Sequence, residues 1–266
     1  MSERSSLVFA PANGFPGGSY RRFLAPLSRQ YDVSAVPRLG HRPEQYPVDA
    51  GWKSLARELE AFLEPLPRPL VGLGHSLGGV LMFMVASRRP EWFRSVVMLE
   101  PPLINGLAGV GFNLLRRLGQ ADRITPAGRS RGRRDHWPDR DEARAYFQRR
   151  SLFRRFHPDC LEDYMDAGLE SHGDGFRLVF RPEVEAAIFR TTPGNISRYP
   201  RLAVPGAVVN ANESVDAFHK AGRRHARRQH MRHEIWPGGH LFPLERPDDS
   251  ARRVQELLQV LHGERT

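Results

Sequence analysis

The chain has 266 residues, 26% of them charged and 40% hydrophobic, with a formal net charge of +10. That length supports one large domain, or a core with an inserted lid, and a substantial apolar interior; one domain with an insertion is expected. A single cysteine, Cys160, excludes an intramolecular disulfide and suits a reducing compartment.

The N-terminus is polar, and the apolar run Leu7–Ala10 that follows is too short for a secretory leader. No run approaches transmembrane length, so a cytoplasmic protein without stable membrane insertion is expected. Lysine is confined to Lys53 and Lys220, the other basic residues being arginine. Because those arginines are scattered and do not interleave with aromatic residues, no nucleic-acid partner is expected.

In chain order, Leu7–Ala10 reads as a short strand running into the loop Pro11-Ala12-Asn13-Gly14-Phe15-Pro16-Gly17-Gly18. A helix over 20–27, a strand over 31–37 and a long amphipathic helix carrying Trp52, Leu55, Leu59, Phe62, Leu63 and Leu66 follow. The apolar run from Leu70 then enters Gly74-His75-Ser76-Leu77-Gly78 and leaves as a second apolar run, long enough for a buried helix, that lasts to Arg88. This places Ser76 at a strand-to-helix turn. Gly74 and Gly78 supply the room that such a turn needs, and the N–H of Leu77 at the helix start faces an oxyanion forming beside Ser76. Strand and helix alternate throughout this half, which implies a mostly parallel central sheet flanked by helices, the α/β class.

Ser95–Leu99 is a β-branched strand ending in Glu100, a carboxylate on the sheet face where open α/β sheets place their sites. From 101 to 200 the alternation stops. Helix-like pieces around 112–118, 142–150 and 161–168 and a strand-like 176–180 suggest a mainly helical inserted cap, so residues 1–100 and 201–266 form the core. Between Arg123 and Cys160 arginine outnumbers acidic residues, and Trp137, Tyr146, Phe147, Phe153 and Phe156 read as cap packing, some of them lining a pocket.

The core resumes at 202–209, followed by Glu213, Ser214 and Asp216. A very basic helix spans 218–229, a strand covers 234–236, and Pro237-Gly238-Gly239-His240 leads into a last helix buried by Val254, Leu257, Leu258 and Leu261. His219, His225, His230 and His233 match no ligand spacing, so no metal is expected.

The Gly-x-Ser-x-Gly turn between strand and helix, with a Gly-Gly-His loop after the last strand, resembles the α/β-hydrolase superfamily, serine esterase and lipase branch. The resemblance implies a catalytic triad of Ser76, an acid and His240 in that order, with His75 inside the nucleophile elbow. It places the second oxyanion-hole N–H on Phe15, and Asn13 stands where the family usually has histidine. With only six residues before the first strand, the early strands of the family are expected to be absent from this sequence. The acid remains open. Glu100 is the first candidate, Glu213 the second and Asp216 the third, because Ser214 stands about where the family's usual aspartate would be. His41 lies in a Gly-His loop that the family often has near the active-site mouth. The implied reaction is hydrolysis of a carboxylic ester or thioester of a small to medium acyl substrate through an acyl-enzyme, with no cofactor. A non-hydrolytic or carbon–carbon-bond-cleaving member of the fold, and a catalytically dead ligand-binding member, are the alternatives.

Overall fold

The computed structural model describes residues 4–263. The outermost residues of the expected core, 1–3 and 264–266, lie outside that range, and with them part of the polar N-terminus.

A parallel sheet is built from β1 (Ser6–Ala10), β2 (Asp32–Ala35), β3 (Leu70–His75), β4 (Phe93–Leu99), β8 (Gly206–Ala211) and β9 (Arg232–Trp236), in the order β2-β1-β3-β4-β8-β9. Between β4 and β8 the chain makes a separate antiparallel sheet of β5 (His136–Trp137), β6 (Leu169–His172) and β7 (Gly175–Leu178). Among the described residues no strand precedes β1.

The sheet is buried on both faces, which is why its central strands read as continuous apolar runs. Successive residues alternate between two cores. Leu7, Phe9, Val97 and Leu99 face one, while Val8, Ala10, Val96 and Met98 face the other.

The helices follow from the same burial logic. The first, α1 (Arg21–Leu24), is short and bracketed by 3-10 turns, because Pro26 interrupts the longer helix expected there. In α2 (Lys53–Leu63), Leu55, Leu59 and Leu63 recur at helical spacing on the buried side. Every residue of α3 (Leu77–Ala86) is buried, so this helix has no polar face. At about 1.5–3 kcal/mol for each large apolar side chain removed from water, its Leu, Met, Phe and Val residues anchor the helix behind Ser76 firmly.

The inserted segment carries α4 (Gly106–Arg117), α5 (Ala121–Ile124), α6 (Ala127–Arg131), α7 (Arg140–Arg149), α8 (Pro158–Gly168) and α9 (Pro182–Arg190). After β8 come α10 (Asp216–Gln229), α11 (Phe242–Glu245) and α12 (Pro247–Leu261). In α10 the buried residues Gly222, His225, Ala226 and Gln229 form a narrow stripe, and Gly222 lies so close to Asn210 that a side chain would collide with it.

Strand order reverses between β1 and β3, since β2 lies to one side of them and β4, β8 and β9 to the other. The loops leaving the carboxyl ends of two such strands diverge and leave a crevice. One of these loops is Pro11–Gly18; the other begins at Ser76.

Candidate active site

Ser76 links β3 to α3 with φ 51° and ψ −114°, a conformation that L-residues rarely adopt. Its N–H donates to Leu99 O at 2.8 Å, tying the turn to β4. The two glycines explain how the turn is possible. A Cβ on Gly78 would run into the carbonyl of Ala10, and one on Gly74 would run into the backbone of Gly78. Leu77 is the first residue of α3, where a helix leaves its N–H groups without an internal partner. Phe15 is buried on the facing loop, and its N–H donates to Ala12 O at 3.2 Å, closing a turn.

His240 reaches the serine from the loop after β9. Its Nε2 lies 3.2 Å from Ser76 Oγ, so the hydroxyl donates to the ring when the imidazole proton sits on Nδ1. Dense protein surroundings lower the His240 pKa from 6.5 to about 4, and the solvent-open edge of the ring tempers that depression. The imidazole is neutral at pH 7, the state a general base requires.

The histidine loop is tied down from several sides. Gly238 N–H donates to Asn212 Oδ1 at 2.9 Å, and Gly239 N–H donates to Glu245 Oε2 at 2.9 Å. Arg155 holds Glu245 at 3.0 Å and also pairs with Glu213.

His75, beside the nucleophile, is fully buried and bridges two of these loops. Its Nε2–H donates to His240 O at 2.8 Å, a group that can only accept. Its Nδ1 must therefore accept from Tyr20 Oη–H at 2.7 Å. Ala12 N–H donates to the same phenol oxygen at 3.4 Å, so one buried chain joins the loop after β1, the elbow and the histidine loop. Burial, reinforced by the neighbouring His240 ring and opposed by the bond to the His240 carbonyl, pushes the His75 pKa down from 6.5 to about 3. Nothing in the spacing of residues 20 and 75 announces that pairing, and Asn212 and Arg155 carry no motif either; Glu245 stands in the Leu-Glu-x-Pro segment that follows the histidine loop.

The three candidate acids are placed differently. Glu100 is fully buried at the end of β4 with φ 45°. Its carboxylate accepts from Ala211 N–H at 2.5 Å, Asn210 Nδ2 at 3.3 Å and Ser214 Oγ–H. Burial raises its pKa against the lowering effect of those donors. Glu213 is exposed and bound by both Arg155 guanidinium nitrogens, which hold its pKa low. Asp216 is exposed in the first turn of α10, 3.8 Å from Lys220. Among the described residues no carboxylate hydrogen-bonds to the His240 ring. The orienting contact that the resemblance implies for Glu100 or Glu213 is thus not made in this arrangement. The reason is local, since each carboxylate is already satisfied elsewhere.

His41 does not join the site. It stacks edge-on against Phe180, its Nδ1 lies 3.0 Å from Leu39 O, and its Nε2 accepts from Arg181 N–H at 3.1 Å. The grouped histidines at 219–233 form no metal site, and among the described residues no cluster of three or more possible ligands occurs.

Over Ser76 and His240 lies a cavity of about 660 Å³. Phe15 closes its core side, while Tyr146, Phe147, Phe153 and Phe189 of the inserted segment give it an aromatic wall. Trp137 stands behind that wall against Tyr146 and Phe147, and Phe156 packs behind Phe15. Arg129, Arg133 and Arg150 also line the cavity. Arg133 is mostly buried and pairs at 2.8 Å with Glu185, which also accepts from Ser130 Oγ–H at 2.9 Å and sits against Gly14. Among the described residues no helix is long and apolar enough to cross a membrane.

Comparison with known proteins agrees with this architecture. The chain is 31% identical over 137 residues to the type I acyl-CoA thioesterase mpaH of Penicillium brevicompactum, a match covering 49% of this chain and 29% of that protein. It is 29% identical over 182 residues to mpaH' of the same organism, covering 65% of this chain and 39% of that one. The chain thus spans well under half the length of these curated relatives.

Among solved structures it is similar to a thioesterase domain from the curacin biosynthetic pathway, with 18% identity and a TM-score of 0.69 over 95% of this chain and 91% of that one. It is also similar to E-2-(acetamidomethylene)succinate hydrolase, with 17% identity and a TM-score of 0.75 over 97% and 92%. At such identities these likenesses speak for the fold. The profile of the alpha/beta hydrolase family matches residues 7–253, nearly the whole length, and the chain belongs to that family.

Proposed function

We propose that the protein is a serine hydrolase that cleaves an ester or thioester through an acyl-enzyme. The observation that carries this reading is the 3.2 Å contact between the hydroxyl of Ser76 and His240 Nε2, at the floor of a cavity with an aromatic wall. His240 takes the proton as Ser76 attacks the acyl carbon, then returns it to the departing alcohol or thiol. A water activated by the same ring releases the acid. The Leu77 N–H receives the oxyanion, joined by Phe15 N–H once substrate competes for its 3.2 Å turn bond.

Of the acids, Glu100 is the one we assign to the triad. It is buried at the end of the strand next to β3 and, among the described residues, makes no ion pair, whereas Arg155 neutralises Glu213. A carboxylate with a raised pKa and a hydroxyl partner on Ser214 can exchange that partner for the imidazolium that forms during reaction. The anchorage of His240 through its backbone carbonyl by His75 holds the ring near Ser76 meanwhile.

Thioesters are favoured by the acyl-CoA thioesterase names of the relatives and by leaving-group chemistry, since a thiolate departs with little protonation. The test is labelling with a fluorophosphonate followed by turnover of acyl esters and acyl thioesters of graded length. Wild type is expected to be labelled and active, and Ser76→Ala to be neither while unfolding at the same denaturant concentration. A folded wild type that takes no label and turns over no substrate would make the protein a ligand-binding member of the fold.

A further inference from the structure

The cavity over Ser76 is not the only concavity of this size among the described residues. A groove of about 760 Å³ lies between α10 and the start of α4, and its walls are basic. Lys220, Arg223, Arg224, Arg227 and Arg228 occupy one face of α10 at i, i+3, i+4, i+7 and i+8, with Arg201 among the residues that line the groove with them. Lys220 has a distant partner in Asp216 at 3.8 Å; among the described residues none of the five arginines has a carboxylate within 4.0 Å.

Like charges at these spacings repel, so the stripe weakens its own helix. Elsewhere in the molecule exposed arginines are commonly paired, as Arg252 and Arg253 are with Asp249. The unneutralised face is therefore a local feature and not a consequence of the chain's general charge.

A second observation points the same way. His225 lines the groove at 1% exposure, and among the described residues neither ring nitrogen has a hydrogen-bond partner. It packs edge-on against Phe83 at 4.7 Å. Burial and nearby Arg228 lower its pKa to about 4, so at pH 7 it is a neutral ring with one unused N–H. A buried donor without a partner is costly unless something outside the chain supplies the acceptor.

We propose that this groove binds the phosphate groups of a thioester whose leaving thiol is carried on a nucleotide diphosphate, the coenzyme A class. The proposal rests on the thioesterase reading of Ser76 and His240. Arginine forks match phosphate oxygens, and His225 can donate one further bond at the side of the groove. The lining residues include no aromatic side chain other than His225, so the groove lacks the stacking platforms of a single-strand nucleic-acid surface.

Its position suits a substrate reaching back to Ser76. Phe83 is seven residues along α3 from the serine, on the order of 10 Å, and Phe218 at the head of α10 lies 6.4 Å from His240. A pantetheine arm spans such a gap.

The test separates the groove from the chemistry. Desulfo-CoA is titrated into Ser76→Ala, with and without Arg224→Gln and Arg228→Gln together. Kinetics compare one acyl group on CoA and on N-acetylcysteamine. The expected result is salt-sensitive binding of desulfo-CoA, weakened by about a hundredfold in the double variant, since each of the two charged hydrogen bonds lost is worth roughly tenfold. KM for the acyl-CoA should rise similarly, with kcat and the truncated thioester unaffected. Absence of desulfo-CoA binding, an unchanged affinity in the variant, or an equal rise in KM for both substrates would overturn the proposal. So would capture of a single-stranded RNA oligonucleotide in preference to desulfo-CoA. Turnover of esters but of neither thioester would instead strike at the thioesterase reading, and the titration would still report on the groove.

Discussion

The buried His75 offers a quantitative test of the polar chain behind the site. Its folded pKa is about 3 against 6.5 for a free imidazole, so the unfolded chain binds a proton that the native chain refuses over that interval. Unfolding therefore becomes easier as pH falls below 6.5, at about 1.4 kcal/mol per pH unit for this one group. From pH 7.5 to 4.5 two of the three units lie in the window, a loss of about 3 kcal/mol. The ring is 0% exposed, so solvent screening takes little from that figure, and native stability is only about 5–15 kcal/mol in all. His75→Gln removes the titration while retaining an amide N–H for His240 O and a carbonyl for the Tyr20 phenol. Urea unfolding of both proteins at the two pH values should show the variant losing about 3 kcal/mol less than wild type. His41, His225 and His240 titrate in both and cancel in the difference. Equal losses in the two proteins would mean that His75 accepts a proton in the fold and that the tautomer argument is mistaken.

Glu100→Gln should lower kcat far more than Glu213→Gln, with KM little changed; the opposite ranking would move the orienting acid to the exposed loop. Gly78→Ala drives a methyl into the Ala10 carbonyl and should cost about 3 kcal/mol or more in urea unfolding, shifting β1 and α3 apart. Arg133→Met strips the buried Glu185 of its cation and should destabilise by about 3–5 kcal/mol; Arg133→Met with Glu185→Gln should recover much of it, and failure of that recovery would show that the pair is not what holds the wall.

The parts of the site that could be read from sequence are those in which geometry is local. Gly74, Ser76 and Gly78 are constrained by their own turn, and α3 follows at once, so strand, bend and helix are legible together. His240 is legible because glycines precede it at the end of a strand. The acid is not. Glu100 ends a predicted strand in the right place, yet its carboxylate is taken by Ala211, Asn210 and Ser214, residues more than a hundred positions away whose approach depends on the pairing of β4 with β8. Tyr20 and His75 show the same limit, for an aromatic in a 3-10 turn and a histidine in an elbow look like core filler until the sheet brings them to 2.7 Å. In the small sheet of the insertion the strand-like 176–180 overlaps β7, whereas β5 has two residues and β6 four, too few to establish a period.

The division of labour along the chain has a practical meaning for anyone reshaping this protein. Ser76, Leu77, Phe15 and His240 all lie outside the stretch between β4 and β8, whereas Tyr146, Phe147, Phe153 and Phe189 lie inside it. A foreign stretch could be transplanted there and leave the proposed reacting groups on their own scaffold. Two stitches would have to survive the graft: the grip of Arg155 on Glu245, and the bond from His157 N–H to Leu244 O at 2.9 Å. Both fasten the insertion to the region around His240, and a donor lacking them would loosen the ring to which we assign the proton transfer.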